Sequence, residues 1–244
     1  MKSLITLARI EGRLVWKGMD IVLFGICFPV LLASLFGYLL SRDASSGASN
    51  FQLSFAAVTT IGVLATGVMG LPLTIADYRH RQILKRFQVT PVSPVYLVMA
   101  QALVQLSAAL VSFTAVVTVY HVFFDFRLPG SWPVFLLTYG LVTLAMYSLG
   151  MLIGGLAPNQ KAANLWSTLA YFTMLLFSGA TIPYEVMPRW VQWLMDVLPL
   201  AHGIHLLKRA IMGEPWGQGG LHAAVLIGCI LIGAGGTAKF FKWR

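Results

Sequence analysis

Residue types that carry out catalysis or bind metals are sparse in this sequence. His202 and His205 lie three positions apart, close to the spacing of metal ligands, but no further ligand converges on them in the sequence. Packing or hydrogen bonding is therefore their expected role. Cys27 and Cys229 fall inside apolar runs and form neither a disulfide framework nor a zinc motif. The chain has no Gly-x-x-x-x-Gly-Lys-Ser/Thr phosphate loop. We expect no metal, no cofactor and no enzymatic activity in this chain.

Small polar side chains instead form two stripes at helical spacing inside apolar runs. One stripe shares a face with Gly70 and consists of Thr59, Thr66 and Thr74. The other consists of Asn164, Ser167, Thr168, Tyr171 and Ser178. Such stripes are typical of interhelical hydrogen bonding in membranes. They are equally typical of a mildly polar route for an amphipathic substrate, and the residues alone leave both interpretations open.

The stripes lie on runs that are long and apolar enough to cross a bilayer. The chain has 244 residues, of which 58% are hydrophobic and 10% charged, whereas soluble domains average roughly a quarter charged residues. Six runs have about the length of a spanning helix: about 21–40, 53–76, 95–120, 132–156, 164–182 and 221–238. Lipid satisfies no backbone polar groups, and these runs do not alternate in polarity as barrel strands would. The predicted fold class is all-α, a polytopic membrane protein with six transmembrane helices.

The six runs contain no Asp, Glu, Lys or Arg. Ion-coupled transporters generally use buried ionisable groups as relays, and intramembrane enzymes also need reactive side chains. The lack of such groups therefore argues against both classes of protein. If the chain takes part in active transport, another chain must supply the energy.

Basic residues predict the orientation of the chain in the membrane. The net charge is +9, with 17 Lys and Arg against 8 Asp and Glu. The cations cluster between apolar runs, which suits membrane orientation better than nucleic-acid binding. Twelve lie on the side that holds both termini, and five lie on the other side, where five acids offset them. By the positive-inside rule we expect both termini in the cytoplasm and a multi-pass protein of the plasma membrane, the inner membrane in a bacterium.

Residues 2–18 have one basic and one apolar face. This pattern is typical of an interfacial helix that turns its cations toward lipid headgroups. Glu11 breaks the pattern because it falls on the apolar face. We expect Glu11 to reach for the surface or to pair with a cation.

Residues 78–89 predict a second, shorter amphipathic helix, which the segment Thr90-Pro91-Val92-Ser93-Pro94 brings to an end. Ile83, Leu84 and Phe87 share one face of it, and cations surround the rest. A solvated connecting loop has little reason to hold such an apolar triad. The pattern therefore favours a short helix that presents the triad to a cytoplasmic partner.

Residues 183–218 predict an external segment of two short helices separated by prolines. Trp190 and Trp193 lie in the first helix, and tryptophan favours the membrane interface. The second stretch covers residues 201–212 and ends at Gly213. We expect this pair to lie on the outer leaflet or to dip into it.

The order of these segments resembles the permease subunit of type-2 ABC exporters, most closely the antibiotic and multidrug branch of the daunorubicin-resistance kind. The motifs that carry the resemblance are Thr90-Pro91-Val92-Ser93-Pro94 and Phe177-Ser178-Gly179-Ala180-Thr181-Ile182-Pro183, which leads to Met187-Pro188 and Pro199-Leu200. The resemblance covers residues 1–244 as one transmembrane domain and is most specific from Ser178 to Lys208.

The resemblance implies a separate ATP-binding subunit that holds ATP and Mg²⁺, and a working unit with two copies of the permease, here expected to be a homodimer. It implies that residues 2–18 are the elbow helix and that 78–89 include the coupling helix. The expected ATPase-docking residues are Arg81, Ile83, Leu84 and Phe87. It also implies that the second and fifth spans flank the substrate route, whose expected residues are Thr59, Thr66, Thr74, Asn164, Thr168, Tyr171 and Ser178.

Three functions are compatible with these observations. The leading expectation is ATP-driven export of amphipathic drugs, antibiotics or lipid-like compounds. The same architecture could export a lipid-linked saccharide, although we would then expect a more aromatic route than a stripe with Tyr171 alone. The third is a passive channel or membrane scaffold without an ATPase.

Overall fold

The chain forms a bundle of long apolar helices in the computed structural model, which describes residues 2–19, 21–42, 47–88, 93–181, 187–214 and 219–240. Within these ranges there are eleven α-helices, two π-helical segments and no β-strand. The predicted all-α membrane fold is therefore confirmed. Residues 90–92 of the Thr-Pro-Val-Ser-Pro motif and residues 182–186 and 215–218 of the external segment lie outside the described ranges.

The elements in chain order are α1 (Lys2–Lys17), π1 (Ile21–Cys27), α2 (Phe28–Arg42), α3 (Gly47–Leu64), π2 (Ala65–Gly70), α4 (Leu71–His80), α5 (Ile83–Gln88), α6 (Pro94–Phe124), α7 (Trp132–Leu156), α8 (Gln160–Phe177), α9 (Arg189–Met195), α10 (Pro199–Met212) and α11 (Gly220–Phe240).

Five stretches of the described chain are long and apolar enough to cross a membrane: Ile21–Leu40, Asn50–His80, Pro94–Phe124, Trp132–Leu156 and Gly220–Lys239. They correspond to five of the six predicted spans. The remaining prediction, 164–182, falls mainly on α8, which is less apolar because its first turns carry Gln160, Lys161 and Asn164. The count of six spans therefore stays a prediction.

The second span is central to the bundle and is the most buried of the five. It runs through α3, π2 and α4 without interruption from Gly47 to His80. π2 faces π1 of the first span, since a Cβ built on Gly25 would lie 3.6 Å from Thr66 Cγ2. Two π-helical turns, a rare geometry that is often found at functional sites, thus pack against each other.

Glycines allow α7 to cross the second span closely. Gly150 and Gly154 form a Gly-x-x-x-Gly, which predicts helix packing. A Cβ on Gly150 would fall on the Gly67 carbonyl oxygen, and one on Gly154 would lie 3.0 Å from Pro72 Cα. The packing interpretation is confirmed.

Aromatic rings hold α3, α6 and α7 together at one end of the bundle. Phe55 lies 4.5 Å from Phe126 and 5.5 Å from Phe135, measured between ring centroids. Tyr120 stacks on Phe51 at 5.2 Å and is fully buried. This cluster fixes the end of α3 opposite residues 77–88, which we name the coupling segment.

The predicted helix over 2–18 is present as α1, which packs against α6. Glu11 is buried and accepts a hydrogen bond from the Tyr78 hydroxyl of α4. The expectation that Glu11 reaches the surface is therefore wrong, because the neighbouring span supplies a phenol donor within the bundle, while its pairing with a cation stays a prediction. The interfacial location of α1 stays a prediction.

The two helices predicted in the external segment are present as α9 and α10. Trp190 and Trp193 on α9 are exposed, 71% and 77% respectively, as expected for side chains that meet lipid. Of the two expected placements, lying on the outer leaflet or dipping into it, α10 does not fit the first. It packs against α3, α7 and α11, and most of its side chains are buried, because its apolar face is covered by protein.

Candidate functional site

A small cavity lies between π1 and π2 at the end of the second span nearer α1 and α5. We name it the proximal cavity. It has a volume of about 140 Å³ and is lined by apolar side chains together with Gly25, Thr66, Gly70 and Thr74. The two threonines belong to the stripe predicted as part of a substrate route. The cavity therefore brings two of its three members to a shared space.

The same threonines also make interhelical hydrogen bonds. Thr66 Oγ1 accepts from the Tyr147 hydroxyl of α7 at 2.9 Å, and Thr74 Oγ1 accepts from Gln101 Nε2 of α6 at 3.2 Å. Thr59 is buried and donates to the Ala56 carbonyl of its own helix at 2.9 Å. Interhelical bonding thus accounts for Thr66 and Thr74, while Thr59 lies in the core away from the cavity.

Gln101 and Gln105 are functional candidates that the stripes did not reveal. Both are fully buried on α6 inside the predicted third span. Within the described residues, neither amide atom of Gln105 has a hydrogen-bond partner, and Gln101 Oε1 also lacks one. A Cβ on Gly70 would lie 2.8 Å from Gln105 Nε2, so this amide adjoins the wall of the proximal cavity. In the sequence, these two glutamines are four residues apart in an apolar run, a spacing that places them on one face of the helix.

Unpaired buried amides are costly, since a polar group removed from water without a partner loses hydrogen bonding. The site beside Gly70 is therefore suited to a water molecule or to a polar group of a ligand. Such groups can bind and orient a substrate. They cannot supply acid–base or nucleophilic chemistry.

The stripe on α8 is divided between two environments. Tyr171 and Ser178 are buried, and their hydroxyls have no hydrogen-bond partner within the described residues. Asn164 is exposed and accepts a hydrogen bond from Thr168 Oγ1 at 3.4 Å. The stripe is therefore exposed at its first member and buried toward the end of α8. Its role in a substrate route stays a prediction.

A second and larger cavity lies at the opposite end of the first two spans. This distal cavity has a volume of about 570 Å³. Apolar walls come from α2 and α3, including Phe36, Leu39 and Leu53. The turn Gly179–Thr181 after α8 and Lys208 of α10 complete the lining.

The stretch of the second span between the two cavities is buried among neighbouring helices. Every residue from Val58 to Leu64 is buried. Gly62 packs tightly in this stretch, because a Cβ there would collide with the Ser112 hydroxyl of α6 and lie 3.3 Å from the Gly25 carbonyl oxygen. The two cavities thus lie at different levels of this helix pair, with a buried stretch between them.

The segment predicted as one coupling helix, 78–89, is broken. α4 continues to His80, a turn follows at Arg81 and Gln82, and α5 covers Ile83–Gln88. Gln82 has a φ of 56°, a left-handed conformation that ends the first helix. The single-helix expectation is wrong because the second span extends into it.

The apolar triad is largely turned inward. Leu84 is only 1% exposed and belongs to the core, and Ile83 and Phe87 are half-buried against the core. The expectation that Leu84 is presented to a partner is wrong, because α5 uses it to pack on α4 and α6. Arg81, Lys85 and Arg86 are exposed cations of this segment, and His80 and Gln82 are exposed beside them. A docking role for Arg81, Ile83 and Phe87 stays a prediction.

The coupling segment is tied to the turn between α7 and α8. Arg79 Nη1 donates to three carbonyl oxygens at the end of α7, those of Gly154 and Gly155 at 3.1 Å and of Ala157 at 2.9 Å. Asp77 Oδ1 accepts from Gln160 Nε2 of α8 at 3.2 Å. A cation at a helix C-terminus satisfies orphan carbonyls and the helix dipole. Movement of the coupling segment must therefore involve α7 and α8.

His202 and His205 meet a third histidine, His222 of α11. His202 Nδ1 and His222 Nδ1 are 2.7 Å apart, and His205 stacks on His222 with ring centroids 5.2 Å apart. His202 Nε2 lies 2.9 Å from the Asp196 carbonyl oxygen, which can only accept, so a neutral His202 accepts at Nδ1 from His222. Hydrogen bonding and packing are therefore their role, as expected. No group of three or more metal-ligand side chains in the described ranges could hold a metal ion.

Comparison with known proteins identifies one matching family and several relatives. The family described as ABC-2 type transporter matches residues 2–212. The chain is 39% identical over 89 residues to nodulation protein J of Rhizobium leguminosarum bv. viciae, which covers 36% of this chain and 34% of that protein. It is 27% identical over 159 residues to the probable multidrug ABC transporter permease YbhR of Escherichia coli K12, which covers 65% of this chain and 42% of that protein. The chain thus spans about a third and about two fifths of the length of these two relatives.

Proposed function

The chain belongs to the ABC-2 type transporter family, and on that premise we propose that it is the permease subunit of an ATP-driven exporter of amphipathic compounds. Drugs, antibiotics and lipid-like molecules are the proposed substrates. The similarity to a probable multidrug permease supports this class. ATP and Mg²⁺ are bound by a separate ATP-binding subunit.

The observation that carries the proposal is the pair of cavities at opposite ends of the first two spans. The distal cavity and the proximal cavity are separated by the buried stretch from Val58 to Leu64. Alternating access needs two chambers that are not open to each other, and the buried stretch between the two cavities supports such an arrangement. Both linings mix apolar walls with a few polar groups, which is the composition of small-molecule sites.

In this proposal, both termini and the coupling segment face the cytoplasm, and the proximal cavity is the inward chamber. The ATP-binding subunit docks on the exposed cations Arg81, Lys85 and Arg86 together with the outer faces of Ile83 and Phe87. Movements of the docked ATP-binding subunit are transmitted to the bundle through Arg79, which contacts α7, and Asp77, which contacts α8. A second copy of the chain completes the working unit in the plasma membrane, the inner membrane in a bacterium.

The two alternative functions are less well supported. A lipid-linked saccharide calls for aromatic stacking surfaces, but Phe36 and Phe24 are the aromatic side chains among the described residues that line the two cavities. A passive channel calls for a continuous opening, and the buried stretch Val58–Leu64 does not provide one along the second span. Family membership also favours a permease that works with an ATPase.

The proposal is tested by recovering the partner. A tagged chain is purified from its native host in mild detergent, and the bound proteins are identified by mass spectrometry. We expect an ATP-binding subunit to be recovered. Reversal of three exposed charges (Arg81→Glu, Lys85→Glu and Arg86→Glu) should reduce its recovery by about tenfold, because rim charges guide association.

A matched control is Arg127→Glu, an exposed cation next to Asp125 at the other end of the bundle. It should leave recovery of the ATP-binding subunit unchanged. Purification of the unaltered chain with no ATP-binding subunit would contradict the proposed function. Equal recovery with the triple variant would contradict the docking surface.

A further inference from the structure

A third cavity lies at the end of the bundle that carries the coupling segment. We name it the Arg79 cavity. It has a volume of about 100 Å³, which is room for several water molecules or for one phosphate group. Its lining consists of three polar residues, Arg79, His80 and Asn159, and three small apolar ones, Ala76, Ala157 and Pro158. The cavity is therefore a polar recess between α4 and the turn that joins α7 to α8.

The guanidinium of Arg79 brings a positive charge to this cavity. Its three hydrogen bonds to the end of α7 all use Nη1, whereas Nε is buried and has no hydrogen-bond partner within the described residues. No carboxylate of those residues forms an ion pair with Arg79, and Asp77, the nearest acid in the sequence, pairs with Arg81 instead. Capping of α7 thus accounts for one of the three guanidinium nitrogens, and an anion in the cavity would neutralise the charge.

The location of the cavity matches the level of lipid headgroups. Two of the stretches that are apolar enough to cross a membrane, Asn50–His80 and Trp132–Leu156, end beside it. The charge pattern predicts that this end of the bundle faces the cytoplasm. Basic pockets between helices on the cytoplasmic side of a membrane are typical binding sites of anionic lipid headgroups.

The outer face of α8 offers a path for acyl chains. α8 begins at Gln160, directly after Asn159 of the cavity lining. Leu165 and Leu169 share one face of this helix and are exposed, and Leu165 lies about 8 Å from Gln160 along the helix axis. A phosphate in the Arg79 cavity would therefore lie close to an apolar surface that acyl chains can cover.

The surrounding side chains favour an anionic headgroup over a zwitterionic one. Arg79 and Asn159 carry N–H donors, which the oxygens of a phosphate need. His80 is exposed at the cavity, and Lys161, two residues after Asn159, is also exposed. A choline headgroup would bring a further cation next to these side chains, whereas a glycerol headgroup brings none.

We propose that the Arg79 cavity binds the phosphate of an anionic phospholipid from the cytoplasmic leaflet, with the acyl chains of the lipid along α8. Arg79 donates to the phosphate from the nitrogens that do not cap α7. A soluble phosphate compound shares this chemistry, but the apolar face of α8 beside the cavity favours a lipid. The site belongs to the surrounding membrane and does not rest on the proposed export function.

The test is photolabelling of the purified chain in detergent. The probe is a phosphatidylglycerol with a diazirine in its acyl chain close to the glycerol, compared with a phosphatidylcholine that carries the same diazirine. Labelled peptides are mapped by mass spectrometry. We expect saturable labelling of residues 160–169, with half-saturation by phosphatidylglycerol at about tenfold lower concentration than by phosphatidylcholine, because the choline cation is placed against like charges.

Variants separate the charge of the cavity from the stability of the bundle. Arg79→Gln should remove the preference for phosphatidylglycerol, but it also removes the cap of α7. His80→Glu is therefore the second variant, since it places a carboxylate in the cavity lining at an exposed position and leaves the bonds of Arg79 to α7 intact. It should remove the preference as well.

The matched control is Arg127→Gln, which removes an exposed cation at the other end of the bundle and should leave the preference unchanged. Equal half-saturation by the two lipids in the unaltered chain would overturn the proposal. An unchanged preference in His80→Glu, or labelling of residues 160–169 that does not saturate, would also overturn it.

A final arm separates a lipid from a soluble anion. Glycerol 3-phosphate has the same phosphate without acyl chains, and at millimolar concentration it should leave the labelling unchanged. Complete displacement of the labelled lipid would assign the cavity to a soluble phosphate compound and overturn the lipid site. None of these measurements uses an ATP-binding subunit, so this inference and the proposed function can fail separately.

Discussion

At the scale of single residues, buried polar contacts join helices that are far apart in the sequence. Arg79 closes the end of α7 by donating to three carbonyl oxygens, and Tyr78 donates to the buried Glu11 of α1. Asp77, next to them in the sequence, accepts a hydrogen bond from Gln160 of α8. Three consecutive residues of the second span thus contact α1, α7 and α8. Each contact satisfies a group that would otherwise be buried without a partner, which is why its loss is costly.

Replacing Arg79 with glutamine should destabilise the bundle. The shorter amide cannot replace three hydrogen bonds from a cation, so we expect a loss of about 2 kcal/mol in the free energy of unfolding. The measurement is thermal unfolding of the detergent-solubilised protein, followed by tryptophan fluorescence. Arg81→Gln is the control, because Arg81 is exposed and bonds to Asp77 within one helical turn, a type of pair worth about 0.3–0.5 kcal/mol. Equal effects of the two substitutions would contradict the capping role.

The sequence predicted which side chains share a face but could not predict what each face contacts. Thr66 and Thr74 do lie on one side of the second span, yet their partners Tyr147 and Gln101 come from other helices. Amphipathic spacing predicts that Leu84 lies on an apolar face, but it does not reveal whether that face contacts another protein or the core of this chain. Glu11 was misassigned for the same reason.

At the scale of elements, close approach of α7 to π2 fixes the second span. Gly150 meets the Gly67 backbone, and Gly67 belongs to the π-helical turn. The added residue of a π turn shifts the register of side chains around the helix. Packing on α7 therefore holds this turn where it lines the proximal cavity.

Gly150→Ala should disrupt this crossing. The new methyl group would collide with a backbone oxygen that cannot rotate away, so α7 and the second span must move apart. Overpacking of this kind typically costs 1–3 kcal/mol, and we expect about 2 kcal/mol or more here. Gly140→Ala on the same helix is the control, since a Cβ there meets nothing within 4 Å. Thermal unfolding of both variants is the measurement, and an equal change in midpoint would contradict the tight crossing.

Hydropathy and charge predicted the helical segments well because lipid imposes length and composition on every span. Five predicted spans correspond to apolar stretches of the described chain, and the helices over 2–18 and 201–212 are present. Hydropathy did not indicate π1, π2 or the break at Gln82, which depend on backbone geometry. It also did not distinguish a helix lying on the leaflet from one packed into the protein, as α10 is, since protein and lipid are both apolar surroundings.

At the scale of the whole molecule, packed and hydrogen-bonded elements connect the coupling segment to the proximal cavity. The coupling segment is bonded to α1, α7 and α8. α7 in turn packs on π2, which lines the proximal cavity. If an ATP-binding subunit displaced the coupling segment, the displacement would therefore act through α7 and π2 on the wall of the proximal cavity.

This connection predicts opposite changes in access to the two cavities during the ATP cycle. Thr74→Cys lies in the proximal cavity, Ala57→Cys in the distal cavity and Thr59→Cys in the buried stretch. Each is made in a chain that also carries Cys27→Ser and Cys229→Ser, so that it is the sole thiol. A membrane-impermeant thiol reagent then reports access in proteoliposomes that contain the ATP-binding subunit.

Without nucleotide we expect the thiol at position 74 to react and the thiol at position 57 to react slowly. A non-hydrolysable ATP analogue should reverse this order. We expect each reaction rate to change by about tenfold, because the rate follows the fraction of molecules in the state that exposes the thiol. The thiol at position 59 should stay unreactive in both states, since its site is sealed whichever chamber is open. Simultaneous reactivity at positions 74 and 57 in one state would indicate a continuous channel and would contradict alternating access.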